Sequence, residues 1–273
     1  MCRLYGMRAT HPTRVECELL DAQHSLLHQA KRDRRGMENP HGWGMGWFNR
    51  GKTHCARQVE PANESQDYRT SAARTEGTAV IAHIRRATVG RPRRENTHPF
   101  RDGQALLAHN GHIENFDEIR HKLLAQMPER NQKAIQGTTD SEHFFQLALS
   151  KLDTFAPDEM REALMEAVDT VRRCFTGEVE DEMRLALNTL FIAGGNLAGT
   201  RLRRTLWYLE RSGTKHCPVC GKTHDTSGTT EDYRAVVLAS ERLTDEDWKP
   251  VPKDSAFYVD EESMELKVKP LDI

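Results

Sequence analysis

The stretch Gln104-Ala105-Leu106-Leu107-Ala108-His109-Asn110-Gly111-His112-Ile113-Glu114-Asn115 changes character twice in a dozen residues. Its first half is short and apolar, and it predicts a buried strand over Gln104–His109. Asn115 and Glu118 then stand at capping-box spacing, and Phe116, Ile119 and Leu123 behind them line one helix face. Between strand and helix lie Asn110 and Gly111. Such a pair is often an ordinary turn. In a chain that attacks amides it has a second use. The Asn amide and a Gly backbone N–H can donate to a developing oxyanion, and glycine lets the backbone come close to the substrate.

Outward from this stretch the pattern is mixed. Thr13 and Glu16 form another capping-box pair, and Val15, Leu19, Ala22, Leu26 and Ala30 recur at helical spacing, which predicts a helix over Arg14–Lys31. His41–Phe48 alternates bulky residues with glycines, as in a strand approached closely by another backbone. Asn49-Arg50-Gly51 turns it into a second strand over Lys52–Val59. Thr78–Ile84 reads as a buried strand, and Ser141–Leu152 and Pro157–Phe175 as helices. Strands follow at Leu185–Ala193, Arg201–Glu210, Arg234–Ser240, Ala256–Val259 and Leu266–Val268. Strands come in hairpin-like runs and helices in blocks, an α+β layered pattern without strict βαβ alternation. No linker or repeat divides the chain, so a single domain is expected over residues 2–273.

Composition narrows the function. Thirty-nine basic and 41 acidic residues leave a net charge of -2 over 273 residues, which argues against a dedicated binder of nucleic acid or anionic membrane. The basic runs Arg85-Arg86 and Arg91–Arg94 are of a kind common in solvated loops. No apolar stretch approaches the roughly 20 residues of a membrane helix. Met1–Arg8 contains no long apolar segment of the signal-peptide kind, so a cytoplasmic location is expected. There the six cysteines should be thiols or metal ligands. Cys17, Cys55 and Cys174 read as packing residues.

Several residues carry chemistry. Removal of Met1 would put a thiol and a free α-amine together on Cys2. With reference pKa values of about 8.5 for the thiol and about 7.7 to 8.0 for the amine, the amine can take the thiol proton near neutral pH, directly or through a water. His83-Ile84-Arg85-Arg86-Ala87-Thr88-Val89-Gly90 ends a strand, and Arg85 offers a guanidinium fork for a carboxylate, with the Thr88 hydroxyl beside it. His98, in Asn96-Thr97-His98-Pro99-Phe100, would help shape the pocket. Asp140 supplies a carboxylate at a helix start, either to hold a substrate ammonium or as an N-cap. Each alone has a plainer reading: a packed cysteine, a surface arginine pair, a helix cap.

In order, the N-terminal Cys2, H-x-R-x-A-T-x-G (83–90), N-T-H-P-F (96–100), A-H-N-G-x-I-x-N (108–115) and T-D-S-E (139–142) resemble the class II glutamine amidotransferase domain. The resemblance is strong over about residues 2–150, and the tail Leu238–Leu243 with Trp248 looks like the end of free-standing bacterial members. It implies the N-terminal-nucleophile hydrolase fold, a four-layer αββα sandwich of two antiparallel sheets. It also implies roles: Cys2 as nucleophile, Asn110 and Gly111 as oxyanion hole, Arg85 for the glutamine carboxylate and Asp140 for its amino group. Hexosamine-synthesising members usually carry His where this chain has Val89. No synthase domain is expected before the end at Ile273, so an ammonia acceptor would lie on a partner protein or not exist. The implied reaction is hydrolysis of the γ-amide of glutamine through a thioester on Cys2, with no cofactor required. A γ-glutamyl peptide hydrolase, like that of ergothioneine synthesis, and a non-catalytic partner-binding module are the alternatives.

One segment falls outside that pattern. Cys217-Pro218-Val219-Cys220-Gly221 is a knuckle able to present two thiolates to one zinc ion, as an insertion at about residues 212–230. His224 or His216 would add a third ligand. A fourth is missing from the local sequence, so a redox pair or a bare hairpin tip are equal readings.

Overall fold

The computed structural model describes residues 2–87, 90–175, 185–213, 217, 220–221, 224 and 232–272. The chain opens with β1 (Arg3–Arg14), a turn of π-helix at Cys17–Asp21 and α1 (Leu26–Lys31). The hairpin β2 (Trp43–Asn49) and β3 (Lys52–Gln58) follows, then α2 (Gln66–Arg74) and β4 (Glu76–Ile84). Next come β5 (Phe100–Asp102), β6 (Ala105–Ile113), α3 (Phe116–Leu124), α4 (Glu129–Ala134), α5 (Asp140–Leu149) and α6 (Pro157–Cys174). The remainder is β7 (Leu185–Ala193), β8 (Asn196–Arg201), β9 (Trp207–Ser212), β10 (Arg234–Ala239), β11 (Lys249–Pro250), β12 (Ser255–Val259) and β13 (Leu266–Pro270).

The strands form two sheets, one ordered β11-β9-β10-β1-β4-β2-β3 and the other β13-β12-β8-β7-β6-β5. Every neighbouring pair is antiparallel. Strand alternation gives each sheet two faces, and both are buried. Leu4, Ile81, Leu106, Leu190, Val236 and Phe257 pack between the sheets. Tyr5, Met45, Val80 and Val237 look the other way, onto α1, α2 and the π-turn through Leu19, Leu26 and Tyr68. Leu107, Leu187 and Phe191 face α3, α5 and α6 through Ile119, Phe144 and Leu164. Three apolar interfaces therefore separate four layers, and the expected αββα sandwich is the fold observed.

Local departures have physical causes. The stretch expected as one helix over Arg14–Lys31 is broken. Thr13 belongs to β1, where its hydroxyl donates to the His11 carbonyl and lies 3.2 Å from Tyr233 Oη. The backbone is extended at Ala22 (ψ 151°), and Ser25 caps α1 by accepting from the His28 amide. Val15, Leu19, Ala22, Leu26 and Ala30 all enter one core, so their spacing reported burial and not continuity. The strand expected over Arg201–Glu210 is broken: Arg201 ends β8, a corner follows, and the chain resumes as β9 only at Trp207. Asn188 holds the corner between them, accepting from the Leu202 and Arg204 amides and donating to the Thr205 carbonyl.

The close approach foreseen at the glycines of β2 is present. A Cβ on Gly44 would stand 2.1 Å from the His98 carbonyl oxygen, well inside contact distance. The bare strand is what lets the segment carrying His98 lie against the sheet.

Candidate active site

Cys2 immediately precedes β1, near the middle of its sheet. Its thiol rests in the bend of Arg86, where Sγ accepts from the amide and donates to the carbonyl, each at 3.3 Å. Burial raises the thiol pKa above its usual value, against the opposing effects of the Arg86 amide and the positive charges of Arg85 and Arg3. A thiol so placed is protonated at neutral pH, so attack needs a base.

Arg3 holds the backbone at this point. Its guanidinium donates to the carbonyl of Cys2 at 3.2 Å and pairs with Asp33 and, at 3.1 Å, with Glu241. On the next residue, Leu4, the amide donates to Ser240 Oγ at 3.1 Å and the carbonyl accepts from the Ser240 amide at 3.0 Å. A charged side chain only 1% exposed costs free energy unless paired, and here both carboxylates come from loops distant in sequence. Sequence reasoning missed Arg3; its signal was an arginine at the start of an otherwise buried strand.

Arg85 follows β4 and is 2% exposed. Its amide donates to the Gly42 carbonyl, its carbonyl accepts from the His41 amide, and its guanidinium is held by the carbonyls of Gly90 at 3.1 Å and Arg91 at 3.4 Å. His41 Nδ1 accepts from the Ala87 amide at 2.9 Å, which fixes the next turn of chain. Thr88 lies outside the described residues.

Asp140 opens α5, but the N-cap is Thr139, whose hydroxyl accepts from the Glu142 amide. The Asp140 carboxylate instead accepts from the Ile113 amide at 2.7 Å and the Ser141 amide at 2.8 Å, tying the end of β6 to the helix. The preceding loop is fastened by Asn96, bonded to Thr138, and by Glu142, which accepts from the Gln136 and Gly137 amides.

Cys2, Arg85, His98, Gly111 and Asp140 line one cleft, together with Arg86, Ala87, His109, Thr139 and Ser141. Asn110 is 3% exposed on the same strand as Gly111, which runs to Ile113 and not to the expected His109 because pairing with β7 continues. By alternation it shares the inter-sheet face of Leu106 and Ala108, and its side-chain amide has no hydrogen-bond partner among the described residues. A Cβ on Gly111 would meet the Ala186 carbonyl oxygen at 1.7 Å, so only glycine fits between these paired strands.

Histidines form one wall. His109 Nε2 lies 2.8 Å from the Ala186 carbonyl, which can only accept, so Nε2 carries the hydrogen. Burial lowers its pKa and keeps the ring neutral, leaving Nδ1 to accept from the Ser141 hydroxyl at 2.8 Å. The rings of His83 and His98 stand 4.2 Å apart. Burial lowers both pKa values, that of His83 to about 3.

A second cluster lies elsewhere. Cys217, Cys220 and His224 come together as the sequence suggested, and Cys17, read there as packing, joins them. His216 and much of the 212–230 segment lie outside the described residues. Cys17 was invisible as a partner because some two hundred residues separate it from Cys217.

The sequence profile of the family described as "Glutamine amidotransferases class-II" matches residues 1–267. The "Probable glutamine amidotransferase DUG3" of Saccharomyces cerevisiae is 27% identical over 97% of this chain and 84% of its own length. The "Gamma-glutamyl-hercynylcysteine sulfoxide hydrolase" of Mycobacterium tuberculosis is 32% identical over 42% of this chain and 50% of its own. In architecture the chain is similar to the glutamine phosphoribosylpyrophosphate amidotransferase of B. subtilis. The TM-score is 0.64 at 17% identity, over 99% of this chain and 49% of that one.

Proposed function

This chain belongs to the class II glutamine amidotransferases, and we propose that it hydrolyses the γ-amide of glutamine, or a related γ-glutamyl amide, through a thioester on Cys2. The observation that supports this reading is the cleft itself, whose lining joins Cys2 to the arginines Arg85 and Arg86 and to a single carboxylate, Asp140. A γ-glutamyl group carries a carboxylate and an ammonium at the end remote from the scissile amide, and it needs one cation and one anion to hold it. Arg85 takes the carboxylate and Asp140 the ammonium, while His98 shapes the wall beside them.

After removal of Met1, the α-amine of Cys2 accepts the thiol proton as Sγ bonds to the γ-carbonyl carbon. The resulting oxyanion is held by the Asn110 amide and the Gly111 N–H. Collapse breaks the C–N bond, and the protonated amine returns its proton to the departing ammonia. Water, deprotonated by the same amine, then attacks the thioester, releasing glutamate and the free thiol. The ammonia would pass to a partner enzyme or to solvent. A γ-glutamyl peptide as substrate is the second reading, favoured by the local likeness to the mycobacterial hydrolase.

The test is incubation with a glutamine-analogue diazoketone and mass mapping of the adduct, with turnover of a panel of γ-glutamyl compounds measured in parallel. An adduct on Cys2 with fastest turnover of glutamine supports the first reading. Faster turnover of a γ-glutamyl peptide moves the assignment to the second, and no turnover with no adduct overturns both. The variant Asn110→Ala should lower kcat roughly 100- to 1,000-fold with little change in KM, the usual effect of losing one oxyanion donor. A near-normal kcat would make Asn110 a structural residue only.

A further inference from the structure

The cluster on the opposite side of the first sheet from the second sheet meets the requirements of a metal centre that no residue of the cleft shares. The ligand atoms of Cys17, Cys217, Cys220 and His224 all lie within 4.8 Å of one another. We propose that these four side chains form a tetrahedral, closed, structural zinc site of three thiolates and one imidazole, with Cys17 as the ligand the knuckle lacks.

The donor set and spacing carry the argument. Zinc in structural sites takes four cysteine or histidine ligands. With Zn–S bonds of about 2.3 Å, two sulfurs of a tetrahedron stand about 3.8 Å apart, and Cys17 Sγ and Cys217 Sγ are separated by 3.8 Å. Cys220 Sγ and His224 Nε2 are 3.1 Å apart, and the roughly 3.5 Å of a zinc site needs only a small side-chain rotation. Cys17 and Cys217 are 3% and 9% exposed, so the site is closed to solvent on one side.

The surroundings add independent support. With Nε2 on the metal, the other ring nitrogen of His224 faces the Glu18 carboxylate at 3.7 Å, the usual arrangement of a carboxylate behind a metal-bound imidazole. Glu18 is itself buried and paired with Arg211, which also binds Glu246 at 2.8 Å, so the carboxylate is held in place. Gly221 takes φ of +69° directly after Cys220, and its amide donates to the Cys217 carbonyl at 2.8 Å, closing the knuckle turn. Cys17 is presented by a turn of π-helix, an uncommon geometry that often marks a site. Binding would release the three thiol protons and leave a complex of net charge -1. It would also fasten two segments from opposite ends of the chain.

The experiment uses the full chain, purified under reducing conditions without chelator. Metal analysis should find about one zinc per chain, and X-ray absorption of that protein should show three sulfurs and one nitrogen around it. Cys17→Ser and Cys217→Ser should each lower zinc content at least 10-fold, whereas His224→Cys should retain it. Cobalt substitution should give the intense sulfur-to-metal charge-transfer bands of a tetrahedral thiolate site. Protein that carries no zinc and takes none up from solution overturns the proposal. So does a Cys217–Cys220 disulfide in the isolated protein, a shell with only two sulfurs, or a Cys17→Ser variant with unchanged zinc content. The X-ray absorption result stands even if the cysteine variants fail to fold.

Discussion

Cys2→Ala is expected to lower the release of ammonia from glutamine on the order of 10⁶-fold, the size of effect seen when a covalent nucleophile is removed. In the proposed reaction the thiol forms the bond that divides one difficult hydrolysis into two easier steps, and no other described side chain of the cleft is a thiol or a primary amine. The substitution removes only Sγ and its contacts with Arg86, so circular dichroism should be unchanged. Cys2→Ser should fold equally well and turn over far more slowly, because a hydroxyl is a poorer nucleophile at neutral pH. Intact mass should show that Met1 has been removed from active enzyme. Full activity in protein that retains Met1 would refute the role of the α-amine, since its proton-accepting group would then be an amide.

The second large effect is expected at Asp140. Its carboxylate has two duties that a single alanine substitution would confound. It accepts from the buried amides of Ile113 and Ser141, and in the proposed reaction it also holds the substrate ammonium. Asp140→Ala strands the Ile113 amide at a cost of about 1 to 3 kcal/mol in stability, whatever the substrate. Asp140→Asn keeps an oxygen to accept from that amide and removes the charge. It should therefore reduce kcat/KM for glutamine roughly 30- to 5,000-fold, the range for leaving a buried charge unpaired. The control is a glutamine analogue without the α-amino group. Wild type should handle it poorly, and Asp140→Asn should no longer distinguish it from glutamine. Arg85→Ala should show a loss of similar size, mostly in KM if the contact is equal in ground and transition states. A variant Asp140→Asn that still prefers glutamine as strongly as wild type would reduce Asp140 to a structural clamp.

These expectations started from sequence, and the parts that were legible share a cause. Motifs at strand ends are local, so Cys2, Arg85, His98, Gly111 and Asp140 could be named before their meeting in one cleft was visible. β7 was foreseen at its observed ends because Leu185–Ala193 is buried on both faces and bounded by a glycine pair. What could not be read depends on contacts across the chain. The corner at Leu202–Leu206 exists because Asn188 binds it. Asp140 is displaced from the cap position because Thr139 occupies it and Ile113 offers an amide. β1 went unseen because its small and charged residues, Gly6, Arg8 and Thr10 among them, blur the alternation of a strand. Cys17 gained significance only when folding brought it to the knuckle.

The placement of β1 between β10 and β4 has a bearing on how the protein fails. Its residues Tyr5 to Arg8 have a paired strand on either side, deep in a seven-stranded sheet. Strands of this kind exchange their hydrogens only through the highest-energy openings, those close to complete unfolding. Many enzymes lose activity on warming while most of the chain is still folded, because their reactive groups ride on loops that loosen early. Here Cys2, the proposed nucleophile, is anchored to the part of the molecule expected to let go last. Inactivation and loss of tertiary structure should then follow one curve on a slow thermal scan, and an activity midpoint several degrees below the spectroscopic one would show that another wall of the cleft gives way first.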